Sequence, residues 1–204
     1  MRCVSDRVTL GCNYGASRVK RLDDMRDHLT AFLFCILVEP TAAGGYTTKM
    51  KYIVIRHAQT DGNRLKRALE GKTGMPLNAQ GIETAKALRV QLDKLGIDLV
   101  NTRVAVSELQ RTQQTATHAG FSSDNLVVNA ILNEVNTADP FVTHDMISRH
   151  ELPPESLERA RQILANPPTE QVWVTHGLVL AGLIAELGLS GFIPEQGSIT
   201  VIEL

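Results

Sequence analysis

The chain has 204 residues, of which 43% are hydrophobic and 21% charged, the balance of a globular domain rather than of a disordered or collagen-like chain. Lys and Arg total 21 against 22 Asp and Glu, a formal charge of -1, which argues against a broad nucleic-acid surface and against a polybasic membrane patch. Aromatics are only 4%, too few for a platform that stacks single-stranded bases.

The first 49 residues differ from the rest. They carry a charge of +2, against -3 for residues 50–204, and they end in Thr-Ala-Ala-Gly-Gly-Tyr-Thr-Thr, which reads as a linker. All three cysteines, Cys3, Cys12 and Cys35, lie there. The remainder holds no disulfide framework and no cysteine-based metal site, which fits a reducing, cytoplasmic location. The longest apolar run, residues 31–38, falls short of the ~20 residues a membrane span needs. It resembles the apolar region of a signal peptide, but the preceding stretch of about 30 residues contains Asp23, Asp24 and Asp27. Residues 1–49 are expected to have no catalytic role, as a weakly ordered extension or as a mis-called start ahead of Met50, and residues 50–204 to form a single domain.

From there strand and helix alternate. The apolar, β-branched run 52–55 reads as a strand buried on both faces. Ile82, Ala85, Leu88, Leu92 and Leu95 repeat every three or four residues, a helix over 79–95 that Gly96 stops. A strand at 103–106, a polar helix at about 108–119 and a short strand at 126–128 follow. The segment 136–154 shows no clear periodicity and reads as a loop, of a length that often forms a lid or specificity element. The chain closes with a helix at 154–165, a strand at 172–175, a helix at 178–187 and a strand at 199–202. Such alternation predicts an α/β protein: a three-layer α/β/α sandwich whose central sheet is mostly parallel. Sites in such folds lie at the carboxyl ends of the strands.

The strand ends carry the polar chemistry. The first delivers Arg56 and His57, the second Arg111, the third Glu134 and the fourth His176. Arginine binds phosphoryl oxygens bidentately and stays charged. A neutral imidazole is a competent nucleophile, and a carboxylic acid can protonate a departing alkoxide. The set suffices for phosphoryl transfer without a metal or cofactor.

Arg56-His57-Ala58-Gln59-Thr60-x-x-Asn63 resembles the Arg-His-Gly-Glu-Thr-x-x-Asn signature of the histidine phosphatase superfamily, also called the phosphoglycerate-mutase-like family. Residues 75–81 resemble that family's Pro-Leu-Thr-x-x-Gly turn, and Ser107-x-Leu109-x-Arg111-Thr112-x-x-Thr115 its second arginine motif. Leu132-Asn133-Glu134 is similar to its acid motif and 174–177 to its second histidine motif. Five motifs stand in order over three quarters of the chain. The resemblance implies His57 as the nucleophile that becomes phosphohistidine. It implies Arg56, Asn63, Arg111, His176 and the Gly177 amide as holders of the phosphoryl group. Glu134 would be the proton donor, then the base that activates water. Ala58 and Gln59 depart from the family's Gly and Glu, so an electrostatic argument resting on that Glu does not transfer.

Blander roles compete. Arg111 could pair with Glu108 one turn earlier, Glu134 could be an exposed loop carboxylate, and Asn63 could cap a helix beginning near Arg64. The basic residues Arg64, Lys66, Arg67 and Lys72 suit a solvated face or a second anionic group of the substrate. His28, His118, His144, Arg149 and His150 receive no role, and Trp173 reads as core. The function expected is hydrolysis of a small phosphomonoester, with neither nucleic acid nor membrane as partner. A phosphoglycerate-type mutase is the first alternative. Only 22 residues separate Arg111 from Glu134 and 41 separate Glu134 from His176, little material to cover an intermediate. A protein phosphohistidine phosphatase and a non-catalytic phosphate binder are the others.

Overall fold

The computed structural model describes residues 37–40, 46–64, 74–137, 140–189 and 192–204. Cys3, Cys12, Cys35, His28, Lys66, Arg67 and Lys72 lie outside them, as does most of the apolar run 31–38.

Strands β1 (Leu37–Pro40) and β2 (Tyr46–Lys49) form an antiparallel pair, with Leu37 opposite Lys49 and Pro40 opposite Tyr46. The stretch expected as a linker therefore ends in a strand. Tyr46 and the two threonines after it are aromatic and β-branched, types that favour extended pairing.

The main sheet has five strands: β3 (Lys51–Arg56), β4 (Val104–Val106), β5 (Leu126–Val128), β6 (Val172–Thr175) and β7 (Ile199–Glu203). Their order is β5-β4-β6-β3-β7, and only the β3–β7 pairing is antiparallel. Six helices accompany the sheet among the described residues: α1 (Asp61–Arg64), α2 (Ala79–Lys94), α3 (Gln110–Ala119), α4 (Pro140–Ser148), α5 (Pro154–Ala165) and α6 (Gly177–Glu186). No helix among the described residues is long and apolar enough to cross a membrane.

Alternation along the strands builds two cores. Ile53, Ile55, Val104, Val106, Val172 and Val174 meet Leu88 and Leu92 of α2 and Ala116 and Ala119 of α3. Tyr52, Val54, Ala105 and Trp173 face the other way, onto Ala160 and Ile163 of α5 and Val179, Leu180 and Leu183 of α6. The protein is thus an α/β fold with helices on both faces of a mostly parallel sheet. Trp173 is core: it is fully buried, its ring centroid lies 4.5 Å from that of Tyr52, and its Nε1–H donates to the Glu170 carbonyl at 2.5 Å.

Local signals set the helix ends. The Asn78 side chain caps α2 by accepting from the Gly81 amide at 2.8 Å. Gly96 (φ +75°) and Gly120 (φ +110°) take left-handed conformations just past α2 and α3. Leu95 caps α2 and is 45% exposed, so the apolar stripe ends at Leu92. Within 136–154, expected as a loop, residues 140–148 form α4. Nine residues make only ~2.5 turns, too few repeats to show a helical period clearly.

Candidate active site

β3 and β6 are adjacent and parallel, with Arg56 opposite Thr175, so the two histidines that follow them leave the sheet side by side. The His57 and His176 rings lie 5.1 Å apart at 58°. The His57 amide donates to the Thr175 carbonyl at 2.9 Å, extending the ladder one residue past the strand. Both side chains are buried.

The His57 Nδ1 sits 2.7 Å from the Ala58 carbonyl. A carbonyl only accepts, so Nδ1 carries the proton and Nε2 keeps its lone pair. Burial, then the charge of Arg111, then that of Arg56 lower the His57 pKa to about 3, against a partial rise from the Ala58 hydrogen bond. A neutral, oriented imidazole is the state a nucleophile needs.

Arg111, in the first turn of α3, is buried, and its charge acts on His57, His176 and Glu134 alike. The surface ion pair with Glu108 does not describe it: Glu108 lies exposed, and its Oε2 accepts from Asn133 Nδ2 at 2.6 Å. The same helix steadies the turn that carries His57. Thr115 Oγ1 donates to the Arg111 carbonyl at 2.7 Å and accepts from the Ala58 amide at 3.0 Å.

The Arg56 Nη1 donates to the Pro194 carbonyl, while its Nε is buried with no hydrogen-bond partner. The His176 Nδ1 is a second buried nitrogen without a partner, and its Nε2 lies 2.8 Å from Ser107 Oγ. Burying an unpaired polar group costs about 1–3 kcal/mol. Two such atoms in one site fit a place prepared for a ligand rich in acceptors.

Glu134 is half-buried just past a 3₁₀ turn at Ala130–Leu132. Its Oε1 accepts from the Val135 amide at 3.1 Å, and its carboxylate also accepts from the Leu178 amide in the first turn of α6. Burial still dominates and raises its pKa, against the lowering by these bonds, Arg111 and Arg56. A carboxyl that holds its proton longer than usual is suited to general-acid work. Its loop is fixed twice: Thr175 Oγ1 donates to the Leu132 carbonyl at 2.8 Å, and Arg159 Nη1 to the Ile131 and Asn133 carbonyls at 3.1 and 2.8 Å.

Gly177 opens α6, after His176 in the capping position. Asn63 is engaged differently from the capping role considered for it. It is the third residue of α1, which starts at Asp61, and Thr60 is the cap. Thr60 Oγ1 accepts from the Asn63 amide at 3.2 Å, and Asn63 Oδ1 accepts from the Thr60 amide at 3.2 Å and hydroxyl at 2.9 Å. This reciprocal box uses the Asn63 oxygen and not its Nδ2. Arg64 is exposed and paired with Asp61 at 3.1 Å.

The departures at 58 and 59 also find their places. Ala58 is buried and has no left-handed backbone. Gln59 binds the start of α2, its carbonyl accepting from the Asn78 amide at 3.1 Å and its Oε1 from Asn78 Nδ2 at 3.0 Å.

Three supports carried no sequence signal of their own: Arg159, and Pro194 and Gly197 in the loop before β7. The Gly197 amide points at the carbonyls of Arg56 (3.1 Å) and His57 (3.2 Å). Gly197 has φ +68°, and a Cβ there would lie 2.4 Å from Thr84 Cγ2, so glycine is required on both counts. A lone glycine in a polar turn was the only available hint.

No curated protein sequence matches the chain significantly. Among solved structures, TTHB049 of Thermus thermophilus is 27% identical with a TM-score of 0.58 over 75% of this chain and 93% of its own. The phosphoglycerate mutase of Thermus thermophilus is 25% identical with a TM-score of 0.55 over 75% and 92%. A candidate alpha-ribazole-5'-P phosphatase of Escherichia coli, 22% identical with a TM-score of 0.55 over 76% and 90%, shares the fold. The model of the histidine phosphatase superfamily (branch 1) matches residues 52–152, from Tyr52 of β3 past Glu134. With that match, and the second histidine brought beside the first, the chain belongs to the histidine phosphatase superfamily.

Proposed function

We propose that the protein is a metal-independent phosphatase that hydrolyses a small phosphomonoester through a phosphohistidine on His57. The observation that carries this reading is the pair of buried, unpartnered nitrogens, Arg56 Nε and His176 Nδ1, beside a neutral His57 whose Nε2 lone pair is uncommitted. Phosphoryl oxygens are acceptors only and satisfy both nitrogens. Fixed donors at the transferring group are the main source of catalysis in such reactions.

In the first step the Nε2 lone pair forms the N–P bond as the ester P–O bond breaks. The departing alkoxide takes the Glu134 proton. Arg56, Arg111, His176, the Asn63 Nδ2 and the Gly177 amide hold the three equatorial oxygens. In the second step the Glu134 carboxylate removes a proton from water, whose oxygen attacks phosphorus. The N–P bond breaks, and His57 recovers its lone pair.

Among the described residues no three His, Cys, Asp or Glu side chains gather as a metal site. The lack of cysteine after residue 35 supports a cytoplasmic setting. The near-neutral charge balance supports a small phosphorylated molecule as partner rather than nucleic acid or a membrane. The test is p-nitrophenyl phosphate hydrolysis in excess chelator, wild type against His57→Ala. Turnover that disappears in the variant supports the reading. Activity that survives in the variant, or needs a divalent metal, overturns it. The likeness to a phosphoglycerate mutase favours a second reading, phosphoryl return to the substrate. Mutase activity dependent on 2,3-bisphosphoglycerate, with negligible hydrolysis, would select it.

A further inference from the structure

Ser107 opens the second arginine motif, and the mechanism above leaves it without a task. We infer that Ser107 is a positioning residue that holds His176 as the neutral Nδ1–H tautomer, so that an uncharged imidazole donates a hydrogen bond to the phosphoryl group. The inference rests on the proposed phosphoryl site, because only an acceptor ligand gives the tautomer a consequence.

The Ser107 oxygen has three neighbours: His176 Nε2 at 2.8 Å, Thr112 Oγ1 at 2.8 Å and the Leu109 amide at 3.1 Å. The Leu109 N–H can only donate, so one serine lone pair is taken. Ser107 has a single proton to give, to His176 or to Thr112. Thr112 also has one proton, and the Ser107 Oγ at 2.8 Å, the Leu109 carbonyl at 2.8 Å and the Ser107 carbonyl at 3.2 Å are its acceptors. Given to Ser107 Oγ, that proton leaves the serine accepting from Thr112 and the Leu109 amide and donating to His176 Nε2.

The two choices have opposite outcomes at the far ring nitrogen. If Ser107 donates to Thr112, His176 Nε2 must carry the proton and donate to Ser107. Nδ1 is then a bare lone pair in a sealed site, and it repels a phosphoryl oxygen. If Ser107 donates to His176 Nε2, the ring proton sits on Nδ1, the buried atom that has no protein partner. Only this arrangement makes a neutral His176 a donor to the ligand.

A neutral ring is what its surroundings favour. His176 is fully buried, and His57 just past β3, Arg111 from α3, Arg56 at the end of β3 and Arg159 from α5 all oppose a positive charge on it. The division of labour is then explicit. The arginines supply charge, and His176 supplies a directed N–H without adding a further cation.

The direct test is 15N NMR of histidine-labelled protein, wild type, with and without inorganic phosphate. The expected result is a protonated Nδ1 and an unprotonated Nε2 on His176, in both states. An Nε2–H tautomer or an imidazolium in either state overturns the inference. Ser107→Ala and Ser107→Thr make the second arm. Alanine is expected to weaken phosphate binding ~10-fold and to bring up an Nε2–H signal on the still neutral His176. Threonine keeps the hydroxyl and is expected to restore both the affinity and the Nδ1–H tautomer. Loss of affinity in Ser107→Ala with the Nδ1–H tautomer retained overturns the inference. Should Ser107→Ala not fold, the wild-type tautomer decides alone. Failure of the phosphatase reading is separately visible: phosphate then leaves the His57 and His176 resonances unmoved, while the free-state tautomer still judges Ser107.

Discussion

The guanidinium of Arg56 lies directly against Gly177: a Cβ on Gly177 would stand 3.0 Å from Arg56 Cζ and Nη2 and 3.1 Å from Nε. The first strand's arginine and the first residue of α6 thus share one van der Waals surface. The arginine cannot easily retreat, because its Nη1 is held by the Pro194 carbonyl. Gly177→Ala is expected to displace the guanidinium by a few tenths of an ångström and to lower kcat/KM ~10-fold, since misplacement of ~1 Å can cost ~100-fold. The melting temperature should stay within ~2 °C of wild type, because a shift confined to the site disturbs no core residue. Unchanged kinetics would show that Arg56 does not position the phosphoryl group.

Arg159 holds the segment that leads into Glu134, the proton donor of the proposed reaction. One Nη1 bridges the carbonyls of Ile131 and Asn133, the residues that lead into the acid. Arg159→Met keeps the stem and loses both bonds, at a cost of ~2 kcal/mol in stability. Its kinetic signature is expected to depend on the leaving group. Alkyl phosphates, which need a proton, should lose ~10-fold in kcat, whereas p-nitrophenyl phosphate should lose little. Equal losses on both would mean that the loop matters for something other than proton donation.

Buried neutral histidines make stability depend on pH with a definite sign. The His57 pKa falls from its ordinary 6.5 to about 3 on folding, and that of His176 is also lowered. Between those values the unfolded chain binds more protons than the folded one, so stability rises with pH. The contribution is complete above pH 6.5 and is lost as pH falls from there towards 3. Thermal melts at pH 7.5 and 4.5 should therefore diverge more for wild type than for His57→Asn. A difference of ~3 °C is the size that ~1 kcal/mol gives at this chain length. An identical slope in both proteins would show that His57 is not held neutral.

The turn that carries His57 is clamped to α2 by a glycine. A Cβ on Gly81 would lie 2.0 Å from the Gln59 carbonyl oxygen and 2.9 Å from its carbon and nitrogen. These are backbone atoms and cannot swing away. Gly81→Ala is expected to cost ~3 kcal/mol and to lower the melting temperature by ~6 °C or more. Calorimetry checks it. A neutral substitution would mean that α2 and the His57–Gln59 turn move apart readily.

The sequence by itself determined which chemistry was present and roughly where. The strands within 52–55, 103–106 and 172–175 were legible because residues buried on both faces must be apolar without interruption, and the partly exposed edge strand 126–128 because its residues are apolar and largely β-branched. The helices at 79–95 and 154–165 were legible because a single buried stripe repeats at helical spacing. Arg56, His57, Arg111, Glu134 and His176 stood out because each follows such a strand in a motif of fixed local spacing. The short helix Pro140–Ser148 and the strand Tyr46–Lys49 were not legible, since neither is long enough to repeat a pattern.

Only the tertiary structure decided what each group can do. The strand order set β6 beside β3 and so brought His176 to within 5.1 Å of His57 across more than a hundred residues of chain. Burial, which no local window reports, lowers the pKa of both histidines and raises that of Glu134. Apart from Ala58, which faces His57 from the next position, the partners that hold these groups come from distant segments: Ser107 for His176, Arg159 for the Glu134 loop, and Pro194 and Gly197 for Arg56. A residue's type is written in the chain, but its protonation and aim depend on neighbours that only folding supplies.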